Sequence, residues 1–467
     1  MRSPYLLTLL SIISVNPALA TEQDQAPGEP PRTPLIVEIN APLIETRWQD
    51  APAGVTLIGK DDIGNGRAPV QPTDSLNQAP GVLVQNRDNF AQNPRVSIRG
   101  FGARAPFGIR GIRVRLDGIP LTTVDGQAQI DAIEPDSIQT IEVLRAANAV
   151  LHGNGSGGLL DYRSISPRQA SFASAHAQLG GFGLRRFHGA LSQRHEVGDR
   201  EYAYRLSGTQ LKQDGYRDQS EVERSNAGLW LDHRHGDQDW FFILNHLDNP
   251  LAQDPGALNA TELEQDPSQA APLAKQMNAG QKVRQNIASL GVVQHFGSRD
   301  GVDSHQLRAQ SWYTGRDFQQ QLPFPGDSLI RYDRRIIGGA LNYQRPIEIS
   351  HSRNLTLHAQ LSLEDQSDDR QRFCRNSELD PFLCREGISD DLALDQEESA
   401  SNIGIGLQLA GPVFDQRGRW VVGVRNDKLS MEIEDRLQAG GIDNSGTRDY
   451  DESNYSLGYS HKLDNRW

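Results

Sequence analysis

From about residue 172 to its end the chain repeats one pattern: apolar residues return at every second position, with polar or small residues between them. Leu355, Leu357, Ala359, Leu361 and Leu363 alternate with Asn354, Thr356, His358, Gln360 and Ser362. Ile403, Ile405, Leu407 and Leu409 alternate with Asn402, Gly404, Gly406 and Gln408; Tyr202, Tyr204, Leu206 and Tyr455, Leu457, Tyr459 keep the same rhythm. Successive side chains of a strand point to opposite faces, so each segment predicts a strand with one apolar and one polar face. A half-buried sheet in a water-soluble sandwich alternates identically, and the links between strands separate the two readings. Links near 195–201, 235–239, 297–304, 345–353 and 411–418 are short, and those near 212–226, 247–285, 314–334 and 364–400 are long. Short turns at one end and long loops at the other are the signature of an outer-membrane barrel, with periplasmic turns and extracellular loops. The scheme predicts about twelve antiparallel strands.

The N-terminus agrees with export. Arg2, an apolar run over 5–15 and Ala18-Leu19-Ala20 predict a secretory signal peptide over residues 1–20, the run being too short to span a bilayer. No later segment reaches eighteen consecutive apolar residues, so no helical span is expected. An exported chain keeps disulfides, and Cys374 with Cys384 predicts one within a long loop. The formal net charge of −13 excludes a nucleic-acid binder as a reading of the whole chain. Residues 21–39 are a proline-rich linker ending in Leu35, Ile36, Val37, Glu38 and Ile39, a β-prone stretch suited to pairing with the edge of a partner's sheet.

Between them, residues 40–165 read as a small α+β domain. Strand signals fall at 54–59, 81–84, 95–98, 112–116 and 138–145, with helix starts at Asp74-Ser75 and Asp136-Ser137. Within it RVSIRGFGARAPFGIRGIRVRLDG, residues 95–118, is a basic, glycine-rich stretch in an acidic chain. His152-Gly153-Asn154-Gly155-Ser156-Gly157-Gly158 lacks the Lys-Ser/Thr ending of a phosphate loop and reads as a tight backbone turn. His233-Arg234-His235 reads as solvated; no metal site and no cofactor are assigned. No Gly-x-Ser-x-Gly or HExxH occurs, so an enzyme is not expected, and a surface hydrolase is the runner-up class.

The ordered stretches Gly81-Val82-Leu83-Val84, Ile98-Arg99-Gly100-Phe101-Gly102, Asp117-Gly118-Ile119-Pro120, Ile141-Glu142-Val143-Leu144-Arg145 and Gly153-Asn154-Gly155-Ser156-Gly157-Gly158 resemble the plug of TonB-dependent outer-membrane receptors. The resemblance implies a membrane β-barrel, antiparallel and of about 22 strands in the family, around an N-terminal α+β plug. Residues 40–165 are then the plug and 170–467 a partial barrel, apparently C-terminally truncated, since about twelve strands are too few to enclose a plug. The chain departs from the family at Arg145-Ala146-Ala147, where Arg-Gly-Pro is usual. Implied too are a monomer in outer-membrane lipid, active uptake of a ferric siderophore or other iron complex, and residues 35–39 as the TonB box, pulled by TonB with ExbB and ExbD. FGARAPFGIRGIR is also similar to receptors for pyrroloquinoline quinone, a cofactor without iron. A passive porin and an inactive fragment are the remaining alternatives.

Outward-facing plug turns predict substrate contacts at Asn86, Arg87, Phe90, Arg104, Phe107, Asp125 and Gln127. Arginines there offer planar donors to carboxylate or catecholate oxygens, and phenylalanines offer apolar area, unless these residues simply pack against barrel loops. Arg99, Glu142 and Arg145, enclosed by the barrel, are expected to form an ion-pair network that retains or releases the plug.

Overall fold

The computed structural model describes residues 38–39, 46–47 and 54–461, except 64–68, 86–87, 106–107, 146–150, 298–303, 351–352, 386–388, 414–416 and 439–440. Strands β1 (Glu38–Ile39) and β2 (Thr46–Arg47) form a two-residue antiparallel ladder, with Glu38 opposite Arg47. Leu35, Ile36 and Val37 lie outside the described residues.

The N-terminal domain contains β3 (Val55–Gly59), β4 (Val82–Gln85), β5 (Arg95–Ile98), β6 (Ile109–Arg110), β7 (Arg113–Leu116), β8 (Ile119–Pro120), β9 (Gln127–Ala128), β10 (Ile138–Arg145) and β11 (Gly158–Ser164). Five of them make one sheet in the order β3-β10-β11-β7-β8, in which β11 and β7 run parallel. The two helix starts are single 3-10 turns, Leu76–Gln78 and Pro135–Ser137. Asp74 spends its carboxylate on the N–H groups of Val70 and Gln71, at 2.9 Å each, and Ile138 opens a strand at once, so neither turn propagates. The glycine-rich loop is a place of close approach: a Cβ on Gly157 would collide with Phe101 and stand 2.9 Å from the Gly111 carbonyl oxygen.

Asp117 and Gly118, with φ of +53° and +85°, turn β7 into β8, the left-handed pair that an Asp-Gly hairpin favours. The Asp117 carboxylate is buried and accepts from the Ser164 N–H and hydroxyl, both at 2.7 Å. Burial nevertheless raises its pKa, the bonds from Ser164 acting in the opposite sense. A carboxyl that holds its proton more tightly when folded contributes stability that is complete below its unfolded pKa of about 3.9 and is lost as pH rises through the folded value. Asp117→Asn, which keeps the turn, is therefore expected to flatten this slope. The parent's unfolding midpoint, measured against the variant's, should gain toward pH 4; an unchanged difference from pH 4 to pH 7 would refute the assignment.

The C-terminal sheet has twelve strands: β12 (Phe172–Leu179), β13 (Arg185–Val197), β14 (Arg200–Gln213), β15 (Val222–His235), β16 (Gln238–Gln253), β17 (Gly280–Phe296), β18 (His305–Gln321), β19 (Gly326–Ser350), β20 (Arg353–Arg375), β21 (Asp391–Val413), β22 (Gly418–Asp435) and β23 (Gly446–His461). Each pairs antiparallel with its neighbours in sequence, and among the described residues β12 and β23 share no ladder. Leu206, Leu231, Leu244, Leu290, Ile337, Leu341, Leu361, Ile403 and Leu457 stand exposed on the outer face. Arg205, Gln285, Gln310, Arg316, His358 and Gln366 are buried on the inner one, against the plug. Apolar outside and polar inside inverts a water-soluble sandwich and suits a wall facing lipid. No helix of the described residues is long and apolar enough to cross a membrane. Inner-face Ile287 and Trp312 join the plug's Val96, Ile98, Val114, Ile141 and Leu160 in one apolar cluster, so the wall completes the plug's core.

Two links are much shorter than the alternation suggests. The long loop expected over 314–334 is the four-residue tip 322–325, and that over 364–400 is 376–390, because the ladders continue beyond the apolar band. The link 254–279 holds α1 (Ala260–Gln265), closed by a reciprocal capping box of Asn259 and Glu262, and α2 (Pro272–Gln276). Cys374, which falls in β20 and not in the loop, is joined as a disulfide to Cys384 in the middle of the link 376–390, with Cα atoms 5.6 Å apart.

Candidate functional site

At the end of the sheet that carries the long links, plug and wall enclose a cavity of about 950 Å³. The plug contributes the turn after β4, with Asn89, Phe90 and Gln92; the wall contributes Phe182, Tyr216, Arg217 and Asp254 from three links. Phe182 and Tyr216 meet edge to face at 5.4 Å with more than half of each exposed, an apolar platform at the mouth. Phe90 is half-buried against Leu211, Val222 and Ala252.

Asp254 ties the two halves together. Its carboxylate is 2% exposed and accepts from Asn89 Nδ2 at 2.8 Å, Gln92 Nε2 at 2.9 Å and the Gly256 N–H at 3.0 Å. Arg217 braces the same link, donating to the carbonyls of Gly256 (2.6 Å), Gln269 (2.9 Å) and Pro255 (3.2 Å). Burial lowers the pKa of its guanidinium, and Asp254 acts in the opposite sense.

Of the expected contact residues, Phe90 lines this cavity; Asn86, Arg87 and Phe107 lie outside the described residues. Arg104 is exposed and does not line it. Asp125 and Gln127 are turned toward each other, the Gln127 N–H and side-chain amide both donating to Asp125 at 3.3 Å. Their turn is pinned to β20 by the Val124 N–H donating to Gln366 Oε1 at 2.9 Å. Asn89, Gln92, Tyr216, Arg217 and Asp254 were not among the contacts expected from sequence. The signals were the amide-flanked Phe90 and an Asp-Pro-Gly turn opening a long link.

The buried charges pair differently from the expected network. Arg99 is exposed, at φ +49°, and Arg145 donates to the carbonyls of Pro80 (2.9 Å) and Gly54 (3.3 Å) and to the Thr56 hydroxyl. The β10–β11 register sets Glu142 opposite Asp161, so two carboxylates need cations from beside them. Arg163 supplies one, 3.6 Å from Glu142 and 2.9 Å from Asp161; Arg115 binds Asp161 through two bonds of 3.1 and 3.0 Å. Burial would raise the Asp161 pKa, but Arg115 and Arg163 leave it lowered. Between plug and wall, Arg113 pairs with Glu364, Arg316 with Asp131 at 2.7 Å, and Arg186 with Glu134 and Asp136 at 2.7 Å each. Glu134, Asp136 and His188 are close enough to hold a metal ion, but the Arg186 guanidinium already occupies the space between the two carboxylates, 2.7 Å from each.

A family model described as TonB-dependent Receptor Plug Domain matches residues 47–159. A hemin receptor of Yersinia enterocolitica is 26% identical over 117 residues, 25% of this chain and 16% of that protein. A hemin receptor of Yersinia pestis is 29% identical over 122 residues, with the same coverages. Among solved structures, the ferric citrate transporter FecA in its unliganded form aligns over 89% of this chain and 61% of its own, with TM-score 0.74 and 16% identity. The ferric yersiniabactin uptake receptor FyuA of Yersinia pestis aligns over 89% and 63%, with TM-score 0.66 and 15% identity. The chain thus spans less than two thirds of each of these two structures, and about a sixth of each hemin receptor.

Proposed function

We propose that the chain, whose residues 47–159 match the plug family model and whose fold is like that of solved outer-membrane receptors, binds a scarce metal chelate, a ferric siderophore or other iron complex, and imports it across the outer membrane. The long links then face outward and the short turns face the periplasm, where TonB, with ExbB and ExbD, engages residues 35–39. The observation that carries the reading is the vestibule. Its volume of about 950 Å³ is that of a small-molecule site, and it is walled jointly by plug and long links. A ligand there touches Phe182 and Tyr216 on the wall and Asn89 and Phe90 on the plug, so its arrival is felt by the element that must move. Relatives named for hemin, ferric citrate and ferric yersiniabactin support an iron chelate as cargo.

The test is a binding panel read by intrinsic tryptophan fluorescence: ferric siderophores of several chelate types, hemin, and pyrroloquinoline quinone as the non-iron alternative. One ferric chelate should saturate the signal, and Tyr216→Ala should weaken it about fivefold, the worth of an aromatic contact. Saturation by pyrroloquinoline quinone alone, or a Tyr216→Ala variant that binds every ligand like the parent, would overturn the iron-chelate reading.

A further inference from the structure

The vestibule selects its cargo by charge. We propose that it prefers a cationic chelate, a neutral ferric trihydroxamate core whose tail ends in an ammonium group. This names the cargo class of the uptake reading and rests on that reading.

An anionic chelate needs donors held ready for its oxygens, and the strongest donors of the vestibule are already engaged. Arg217 is the one cation among the described residues that line it. Its Nε, Nη1 and Nη2 each donate to a main-chain carbonyl, of Gln269, Gly256 and Pro255, so most of its N–H groups brace the link instead of facing a ligand. The plug amides are engaged too. Asn89 Nδ2 and Gln92 Nε2 donate to Asp254, and Asn89 Oδ1 accepts from the Ala91 N–H at 2.9 Å. The positive charge of Arg217 is itself offset by Asp254.

The charge that remains is negative. Asp74 lines the cavity from the plug and is exposed; its carboxylate accepts from the N–H groups of Val70 and Gln71 and meets no cation among the described residues. On the wall Asp214 stands at the mouth. Its carboxylate lies over Gly183, where a Cβ would collide with it, and it too forms no ion pair among the described residues. Neighbouring Asp218, by contrast, is paired with Lys275 at 2.6 Å. The links 214–221 and 254–279 together hold seven acids and two bases, so the field at the mouth draws cations in. Beside Asp214 stand the rings of Phe182 and Tyr216. Phe182 sits at φ +58°, a left-handed conformation that costs a non-glycine residue, and is held there because its carbonyl accepts from the N–H groups of Asp214 at 3.0 Å and Gly215 at 3.1 Å. A strained backbone that presents an exposed ring is characteristic of a ligand contact. Ring faces are electron-rich and attract an ammonium group, while a neutral core packs on the apolar lining of Phe90, Leu184 and Pro323.

A matched set of ligands with one iron core tests this: a ferric trihydroxamate with a free ammonium tail, the same chelate with the tail acetylated, and the same with it succinylated. They carry one positive charge, none, and one negative charge. Their affinities for the full chain in detergent, read by tryptophan fluorescence, should fall in that order, with about tenfold between first and last at low salt. The gap should narrow as sodium chloride is raised. Asp74→Asn/Asp214→Asn keeps the side-chain shape and the acceptor for Val70 and Gln71, and should bring the ligands to within about twofold of one another. Asp237→Asn, which removes an exposed acid from a short turn at the opposite end, should leave the order intact. Circular dichroism checks folding, and the salt series on the parent needs no variant. Equal affinities, the reverse order, a gap indifferent to salt, or tighter binding of a ferric tricatecholate, which carries three negative charges, would overturn the charge preference and leave the uptake reading standing. If no ferric chelate binds at all, the uptake reading fails and this inference with it.

Discussion

Deleting residues 35–39 is expected to abolish energised uptake while leaving chelate binding at the vestibule unchanged. A partner that grips an extended segment through main-chain bonds gains affinity from the backbone and only selectivity from side chains. Single side-chain changes at Leu35, Ile36 or Val37 should therefore be mild, whereas Val37→Pro, which removes a donor and fixes φ, should approach the deletion. Glu38 and Ile39 already pair with Arg47 and Thr46, so among the described residues the segment enters the exchange with a ladder of two residues. At about 1 kcal/mol net per hydrogen bond, such a ladder is easily replaced by a longer one to a partner. The measurement is accumulation of the labelled chelate in cells for which this receptor is the only route, beside binding at 4 °C. Uptake that survives the deletion would end the TonB-coupled reading without touching the vestibule.

The alternation near 355–363 and 403–409 made the wall legible because lipid outside and a polar plug inside impose opposite demands on neighbouring side chains. Link lengths were not legible for the same reason. Above the apolar band the outward residues of β20 become Asp365, Ser367 and Asp369, so the hydrophobic rhythm stops while the ladder runs on to Arg375. The buried charges were recognisable as charges needing partners, but the choice of partner depends on register. Glu142 faces Asp161 only once β10 and β11 are aligned, and Arg145, at the strand end, meets carbonyls instead. The vestibule was half legible. Phe90 stands out among polar neighbours, yet Asn89 and Asp254 are 165 residues apart, and nothing local in either stretch announces their bond. Asp125 and Gln127 show the converse: exposed-looking polar residues that satisfy each other in a turn.

Asp254→Ala should open the vestibule. The carboxylate is the shared acceptor for a plug asparagine, a plug glutamine and the Gly256 N–H, and it is shielded from water. Hydrogen bonds to a charged acceptor contribute about 1.5–3 kcal/mol each, and water replaces them poorly at so buried a position. Losing the coupling between the link 254–279 and the plug should weaken chelate binding by roughly thirtyfold or more, since about 1.4 kcal/mol is a factor of ten. Amide exchange across 254–279 should speed up, and the wall strands should stay protected. Asp254→Asn is not a rescue, because its NH₂ would face the Asn89 or Gln92 amide, donor against donor. The pairing also fixes the outcome of a cycle: Asn89→Ala combined with Asp254→Ala should cost little more than Asp254→Ala alone, since both remove the same bond. Additive losses, or an Asp254→Ala variant with the parent's affinity and exchange pattern, would show that plug and link are held by other contacts. If the cycle is non-additive, the carboxylate is the joint through which an arriving ligand bears on the plug.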